Sequence, residues 1–239
     1  MTSFKIASYN IHGWVDADGV SNLERVVAVV NQHDPDIICL QEVYACWELP
    51  CLLEFLRKTL FVHSLRWEGC AILSKSRFLL EEYGQADPEA LRQAGGGYHR
   101  LLTTFPGDGF NRPRYLTARV SCQETNNTFH LSCIHLVPKY PELRQEDILR
   151  ISQDLAPLIK TREPQLWMGD FNTLSRGDYS DQEWNTIVRV RQDNGRQAPD
   201  NKVIEMIEQL GLQVGLLHYN TLVTKLLYWT TWCGVLNYN

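Results

Sequence analysis

The stretch WMGDFNTLSRG (Trp167–Gly177) carries the clearest structural signal in the chain. Apolar residues lead into a glycine, and an acid, a phenylalanine and an amide follow before a polar loop begins. The short, largely apolar run QLWM (165–168) is typical of a buried β-strand. Asp170 and Asn172 therefore stand two residues apart at a strand end, where binding and catalytic groups are commonly placed.

The same pattern recurs at three other predicted strands. Asn10 follows KIASY, Gln41 and Glu42 follow IICL, and His135 lies within LSCIHL. If these strands are buried in a sheet, their polar ends converge at one edge. Carboxylate and amide oxygens at such an edge favour a hard cation, Mg²⁺ or Mn²⁺. A histidine beside them is suited to stabilise or protonate a phosphate oxygen.

Each of these residues also has an ordinary structural interpretation. Asn10 is a good turn former, and Glu42 suits an exposed strand end. A histidine on an apolar strand is often a hydrogen-bonded core residue. Asp170 can cap a loop, and Asn172 can form an Asx turn. The functional interpretation depends on the recurrence of the pattern at successive strand ends in a fixed order.

The composition is that of an ordinary globular protein. The 239 residues are 44% hydrophobic and 21% charged, and the formal net charge is −5. This acidic balance argues against a broad nucleic-acid-binding face, although it allows a locally basic cleft. Arg112, Arg114 and Arg119 lie close together in sequence and are candidates for such a patch or for a solvated strand edge.

The seven cysteines show no CxxC or zinc-ligand spacing, which indicates reduced thiols rather than a disulfide framework. The N-terminal MTSFKIASYN enters a strand pattern directly and lacks a signal-peptide pattern. No apolar run approaches the roughly 20 residues that span a bilayer. We therefore expect a cytoplasmic or nuclear protein with no transmembrane segment, and we expect a monomer.

Hydrophobic periodicity predicts mixed strands and helices along the chain. Strands are predicted at 4–9, 37–41, 69–74, YLTARVSC, TFHLSCIHL and 165–168, and helices after Ser21 and at about 47–60, 142–160, 183–192 and 200–210. Ser21 with Glu24 three residues later has the spacing of a capping box. This order of elements indicates one α/β domain of two packed sheets with helices outside.

The motifs S-Y-N-I-H-G, L-Q-E-V, I-H-L and G-D-F-N, in this order, resemble those of the endonuclease/exonuclease/phosphatase superfamily. Pancreatic deoxyribonuclease, inositol-phosphate 5-phosphatases and tyrosyl-DNA phosphodiesterases belong to this group. The resemblance covers roughly residues 4–212. It implies a four-layered α/β sandwich, with two packed mixed β-sheets flanked by helices, and a divalent-metal-dependent phosphoesterase that forms no covalent intermediate.

The resemblance also implies a role for each candidate residue. Glu42 would be the main ligand of Mg²⁺ or Mn²⁺, and Asn10 would assist at the metal. Asp170 would orient or deprotonate the attacking water, and Asn172 would hold that aspartate and the phosphate. His135 would contact the phosphate and stabilise the charge of the transition state. The expected substrate is a phosphoester, namely a nucleic-acid end, a phospholipid or a small molecule.

The end of the chain departs from the family. Members normally finish with a strand carrying an aspartate and then a Ser-Asp-His, but here no aspartate follows Asp200 and the last histidine, His218, has no acid beside it. We expect a domain over 1–212, incomplete or atypical C-terminal strands, and an atypical tail over 213–239. The explanations are a truncated or alternatively spliced isoform, which we favour, a pseudoenzyme, or substitution by His218.

Three functional classes follow from these observations. The first is a metal-dependent phosphoester hydrolase, with substrate specificity in the loops at 92–114 and 173–200. The second is a non-catalytic binding or regulatory protein on the same fold. The third is a thiol enzyme using Cys133, which shares a strand face with His135, although cysteines in apolar runs such as Cys39 and Cys133 are usually inert core residues.

Overall fold

The computed structural model describes residues 4–43, 49–67, 69–83, 114–138, 140–161, 163–215 and 232–236. Its strands are β1 (Ile6–Asn10), β2 (Ile37–Val43), β3 (His63–Trp67), β4 (Gly69–Ser74), β5 (Phe78–Glu82), β6 (Arg114–Cys122), β7 (Thr128–His135), β8 (Gln165–Asp170), β9 (Gln213–Gly215) and β10 (Trp232–Leu236). Its α-helices are α1 (Leu23–His33), α2 (Leu49–Lys58), α3 (Pro141–Asp154), α4 (Ala156–Ile159), α5 (Asp181–Asp193) and α6 (Lys202–Gln209). Short 3₁₀ helices lie at His12–Trp14 and Arg176–Asp178.

The strands form two mixed sheets. The first has the order β1-β2-β4-β3, and the second has the order β5-β6-β7-β8-β10-β9. Each sheet contains one parallel pair, β1 with β2 and β7 with β8, and the other neighbours are antiparallel. Parallel neighbours end at the same sheet edge, so each pair brings two strand ends together.

Three apolar layers hold the two sheets and the helices together. Side chains alternate along a strand, so Ile37 and Cys39 of β2 face the second sheet, while Leu40 packs towards α1 and α2. On the outer face of the second sheet, Trp167 packs against α3 and α6. The order helices, sheet, sheet, helices confirms the predicted four-layered α/β sandwich.

Most helices lie where periodicity predicts them, with two local differences. The helix predicted over 142–160 is divided at Leu155, since Pro157 has no N–H to continue it. The capping box predicted at Ser21 is wrong, because Ser21 forms a β-bridge with Val15 and α1 begins only at Leu23. A capping box does occur at Ser180, before α5.

The described parts of the C-terminal stretch 213–239 are strands of the second sheet. β10 lies between β8 and β9 and is antiparallel to both. His218 and residues 92–113 of the predicted specificity loop lie outside the described residues. Within the described ranges, none of the helices combines the length and the apolar character that crossing a bilayer requires.

Candidate active site

The two parallel pairs bring the predicted site residues to neighbouring strand ends. Asn10 is in register with Gln41 at the end of β1 and β2, and His135 is in register with Asp170 at the end of β7 and β8. Glu42 follows Gln41 directly, and β2 faces β7 and β8 across the interior. The carboxyl ends of four strands therefore surround one position.

The amide of Asn10 connects the acids of the two sheets. Its Nδ2 donates to Glu42 Oε1 at 2.9 Å and to Asp170 Oδ2 at 3.1 Å. Its Oδ1 accepts from the backbone N–H of His12 at 2.9 Å, which fixes the orientation of the amide. One side chain thus holds a carboxylate from each sheet in place.

His135 lies beside the same acids. Its Nε2 is 3.8 Å from Glu42 Oε1, and the side chain is only 6% exposed, compared with 21% for Glu42. A histidine this close to a carboxylate can hold or transfer a proton. The Nε2 of His135 and the carboxylate of Glu42 thus lie next to each other in the site.

Asp170 is buried and held at both carboxylate oxygens. Its Oδ1 accepts from the backbone N–H of Asn172 at 2.9 Å in an Asx turn, and its Oδ2 accepts from Asn10. Burial raises the pKa of Asp170 above its ordinary value, and Glu42 adds to the rise. His135 and the bonds from Asn172 and Asn10 lower this pKa. A carboxylate of raised pKa is a stronger base, as a group that deprotonates water requires.

The side chain of Asn172 turns to the backbone that follows β7. Its Nδ2 donates to the carbonyl oxygen of Leu136 at 2.8 Å, and its φ of 49° lies in the left-handed region. Asn172 therefore holds Asp170 through its own backbone N–H, while its side chain fixes the segment that follows His135.

The backbone at Glu42 is also in the left-handed region, with φ 64°. The register between β2 and β4 shifts between Gln41 and Val43, so Glu42 lies at a bulge. Bulges re-aim side chains, and a positive φ at a residue other than glycine costs energy that the surroundings must supply. This strained position turns Glu42 towards Asn10 and His135.

Gly169 is required by the close approach of β7 and β8. Its φ is 147°, and a Cβ at this position would lie 1.8 Å from the carbonyl oxygen of Ile134. No side chain can be accommodated at that distance. The glycine before Asp170 therefore lets the two strand ends carrying His135 and Asp170 lie side by side.

Gln41 supports the site from the interior. Its Nε2 donates to Ser8 Oγ at 3.0 Å, to the Cys39 carbonyl at 3.2 Å and to Cys133 Sγ at 3.3 Å. These bonds connect β1, β2 and β7 directly behind Glu42. Gln41 was recognised as a strand-end residue, but its contact with the second sheet has no signal in the sequence.

Cys133 and Cys39 are fully buried between the sheets. Cys133 Sγ donates to the carbonyl of Leu40 at 3.4 Å, and burial raises the pKa of the Cys39 thiol. A thiol without solvent access cannot reach a substrate, so the structure does not support the thiol-enzyme hypothesis.

Arg119 forms ion pairs at the other end of the second sheet. It is in register with His130, five residues before His135, and its guanidinium contacts Glu163 at 3.1 Å and Glu81 at 3.7 Å. Arg119 therefore contributes no positive charge at the strand ends that carry the acids. Arg112 lies outside the described residues.

The donor set fits a hard cation held mainly by one carboxylate. Glu42 has partial solvent access, and Mg²⁺ commonly keeps several waters and takes one or two carboxylates from a protein. Asn10 orients Glu42 in this arrangement, which is compatible with an assisting role. Within the described parts of the chain, no group of three or more His, Cys, Asp or Glu side chains forms a ready-made metal cage.

Comparison with known proteins identifies the family. A sequence profile of the Endonuclease/Exonuclease/phosphatase family matches residues 7–191. The chain belongs to this family, whose members hydrolyse phosphoesters and generally depend on divalent metal ions. The family predicted from the four motifs is therefore confirmed. Among curated proteins, none matches the chain.

Solved structures share the fold at low sequence identity. A mannosyl-6-phosphatase of Bacteroides thetaiotaomicron is 18% identical over 72% of this chain, with a TM-score of 0.52. The chain covers 66% of that protein, just under two thirds of its length. TDP2 of D. rerio, complexed with a single-strand DNA product, is 15% identical over 98% of this chain and 83% of its own, with a TM-score of 0.53.

Proposed function

We propose that this protein is a divalent-metal-dependent phosphoesterase that hydrolyses a phosphodiester or phosphomonoester with water. The observation that carries the proposal is the amide of Asn10, which bonds to Glu42 at 2.9 Å and Asp170 at 3.1 Å. With His135 3.8 Å from Glu42, two carboxylates and an imidazole lie around one point, and this arrangement supports the proposal.

The residues divide the reaction between them. Asp170 accepts the proton of the attacking water, for which its burial and raised pKa prepare it. Asn172 keeps the Asp170 carboxylate in position through its backbone N–H. His135 donates to a phosphate oxygen and so stabilises the negative charge that develops in the transition state.

Glu42 is the residue that would hold Mg²⁺ or Mn²⁺, with Asn10 fixing the direction of its carboxylate. When bound, such an ion would withdraw charge from the phosphoryl oxygens. The strained backbone at Glu42 supports this assignment, because strain of this kind clusters at functional sites.

The substrate class we propose is a phosphoester at a nucleic-acid end, on a phospholipid or on a small molecule. The structural neighbours include a mannosyl-6-phosphatase and TDP2 in complex with a single-strand DNA product, and they support the small-molecule and nucleic-acid alternatives. The net charge of −5 disfavours long duplex DNA, because phosphate contacts with cationic side chains dominate that kind of binding.

A metal-dependent assay tests the proposal. Hydrolysis of bis(p-nitrophenyl) phosphate and p-nitrophenyl phosphate is measured with Mg²⁺, with Mn²⁺ and with a chelator, for the wild type and Asp170→Ala. We expect turnover with metal that the chelator abolishes and that Asp170→Ala lowers at least about 100-fold. Asp193→Ala, an exposed acid at the end of α5, is the control. Turnover left unchanged by Asp170→Ala would contradict the mechanism.

A second candidate function is a non-catalytic binding protein on the same fold. The observation that favours it is β10, which lies beside β8 and has the sequence Trp-Cys-Gly-Val-Leu, without an acid or a histidine. Retained Mg²⁺ binding by calorimetry, with no turnover of either phosphoester, would decide for this function.

A further inference from the structure

The three residues after His135 are each fixed by a polar contact. The N–H of Leu136 donates to the Asp170 carbonyl at 2.9 Å, and its own carbonyl accepts from Asn172 Nδ2 at 2.8 Å. Two side chains of α3 hold the next residues. We call Leu136–Pro138 the β7 exit segment. Each of its three residues is held by at least one hydrogen bond.

Arg144 and Asp147 provide the restraints from α3. Arg144 Nη1 donates to the carbonyl of Val137 at 3.3 Å and to that of Pro138 at 3.2 Å. The carboxylate of Asp147 accepts a hydrogen bond from the Val137 backbone N–H. The peptide groups on both sides of Val137 are therefore held by polar side chains of one helix.

Both charged residues are buried at a cost. Arg144 is 5% exposed and Asp147 is 4% exposed. Among the described residues, Arg144 Nε and Asp147 Oδ2 have no hydrogen-bond partner. Burying a charged or polar group whose hydrogen bonds are incomplete is unfavourable, and apolar residues would pack on this face at no such cost. Their presence therefore needs a reason other than stability of the core.

The reason lies in what the β7 exit segment connects. Leu136 is bonded to the backbone of Asp170 on one side and to Asn172 on the other, and it follows His135 directly. A shift of this segment would move the proposed base and the proposed phosphate contact relative to each other. Misplacement of reacting groups by about 1 Å can lower a rate about 100-fold.

We propose that Arg144 and Asp147 are positioning residues for the phosphoester site, acting through the β7 exit segment on His135 and Asn172. This inference rests on the proposed hydrolytic function for its catalytic consequence. The positioning itself is a property of the folded protein and is measurable without turnover.

Four variants separate positioning from stability. Asp147→Ala removes the acceptor for the Val137 N–H, whereas Asp147→Asn keeps an acceptor oxygen. Arg144→Lys keeps the charge but loses the planar guanidinium. Ile151→Ala, in the same helix and fully buried, is the matched control, because it removes apolar packing and leaves every hydrogen bond to the β7 exit segment in place.

Two measurements are made on each variant. NMR follows hydrogen exchange of the Val137 amide and the ring resonances of His135, and a phosphodiester assay with Mg²⁺ gives kcat and KM. For Asp147→Ala we expect Val137 exchange about 10-fold faster, shifted His135 resonances, and kcat about 10- to 100-fold lower at similar KM. Asp147→Asn should restore all three, and Arg144→Lys should show the same effects at smaller size.

Ile151→Ala should lower the melting temperature while leaving the His135 resonances unshifted. If Asp147→Ala and Ile151→Ala change all readouts alike, or if Asp147→Ala leaves the His135 resonances unmoved, the positioning role is overturned. Should Asp147→Ala fail to fold, Arg144→Lys decides by the same criteria. If the wild type shows no turnover, the hydrolytic proposal fails, and the Val137 and His135 signals still decide the positioning.

Discussion

The two neighbours of β8 differ sharply in chemistry. On one side, β7 runs parallel and brings His135 into register with Asp170. On the other side, β10 runs antiparallel and brings Trp232 into register with the same aspartate. The strand ending at His135 continues into a hydrogen-bonded segment, whereas Trp232–Leu236 contains no acid and no histidine. The polar groups around Asp170 therefore come from β1, β2, β7 and its own loop.

This difference shows how much of the candidate site lies on one side of β8. Asn10, Leu136 and Asn172 supply the hydrogen bonds to Asp170. The family resemblance predicts an orienting Asp-His pair from a final strand, and β10 carries none. Under the proposed function, His135 makes the phosphate contact.

The largest expected effect is at the contact between β7 and β8. Gly169→Ala places a Cβ against the Ile134 carbonyl at 1.8 Å, so we expect the protein to lose at least about 4 kcal/mol of unfolding free energy or to fail to fold. Gly177→Ala is the control, since its Cβ would meet only Ser175 Oγ at 3.7 Å. Urea unfolding measures both, and equal stability of the two variants would refute the close-approach argument.

The next largest effect is expected on catalytic activity, from a change on the β7 side of Asp170. His135→Gln keeps a polar side chain but removes the ring nitrogen near Glu42. We expect kcat to fall about 100- to 1,000-fold with the fold intact, because an interaction with developing charge is lost. The metal-dependent phosphodiester assay and circular dichroism check this. If His135→Gln has the kcat of the wild type, a group other than His135 has the proposed role.

A smaller effect is expected on the pH dependence of stability, and it comes from α3, which holds the β7 exit segment. Burial raises the pKa of Asp147 from 3.8 to about 7, while Arg150 and Arg144 on the same helix lower it and Glu146 raises it. Folded Asp147 thus holds its proton where the unfolded chain releases it. Raising the pH from about 4 to about 7 therefore removes stability, at most about 4 kcal/mol.

Asp147→Asn should abolish this dependence. At pH 8 we expect the variant to be more stable than the wild type by a few kcal/mol, and at pH 4 we expect the two to be alike. Urea unfolding from pH 4 to pH 8 measures the difference. A gap between variant and wild type that stays constant across this range would show that Asp147 titrates normally.

The smallest effect is expected on the β10 side. Trp232→Phe retains an aromatic residue, and we expect kcat to change less than about twofold, since no proposed step uses this strand. A fall in kcat as large as that of His135→Gln would show that β10 contributes to activity as much as β7 does.

Much of the fold was predictable because its signals are local. Apolar periodicity located the helices. The recurring polar strand ends singled out five residues that the structure brings together, namely Asn10, Glu42, His135, Asp170 and Asn172. The pairing of β10 with β8 was not predictable, since it joins segments more than 60 residues apart in a tail of unusual composition. The left-handed backbone of Glu42 likewise depends on a bulge against β4.

Arg144 and Asp147 could have been found. The periodicity that predicts this helix places Ile148 and Ile151 on its apolar face, and residues four positions earlier lie on the same helical face. Extending the stripe by one turn reaches both charged residues. A charged residue on a core-facing stripe is a sequence signal for a buried polar contact, although its partner in the β7 exit segment is visible only in the structure.

The bond from Asn10 to both Glu42 and Asp170 makes the site sensitive to the alignment of the two sheets. β1 and β2 belong to one sheet and β8 to the other, and the layer between them is apolar, with Cys39, Cys133 and Met168 at its centre. A small sliding of one sheet over the other would separate the acids while most secondary structure persisted. Under the proposed function, activity is therefore lost at lower denaturant concentration than helical structure, and enzyme assays report on the interior between the sheets.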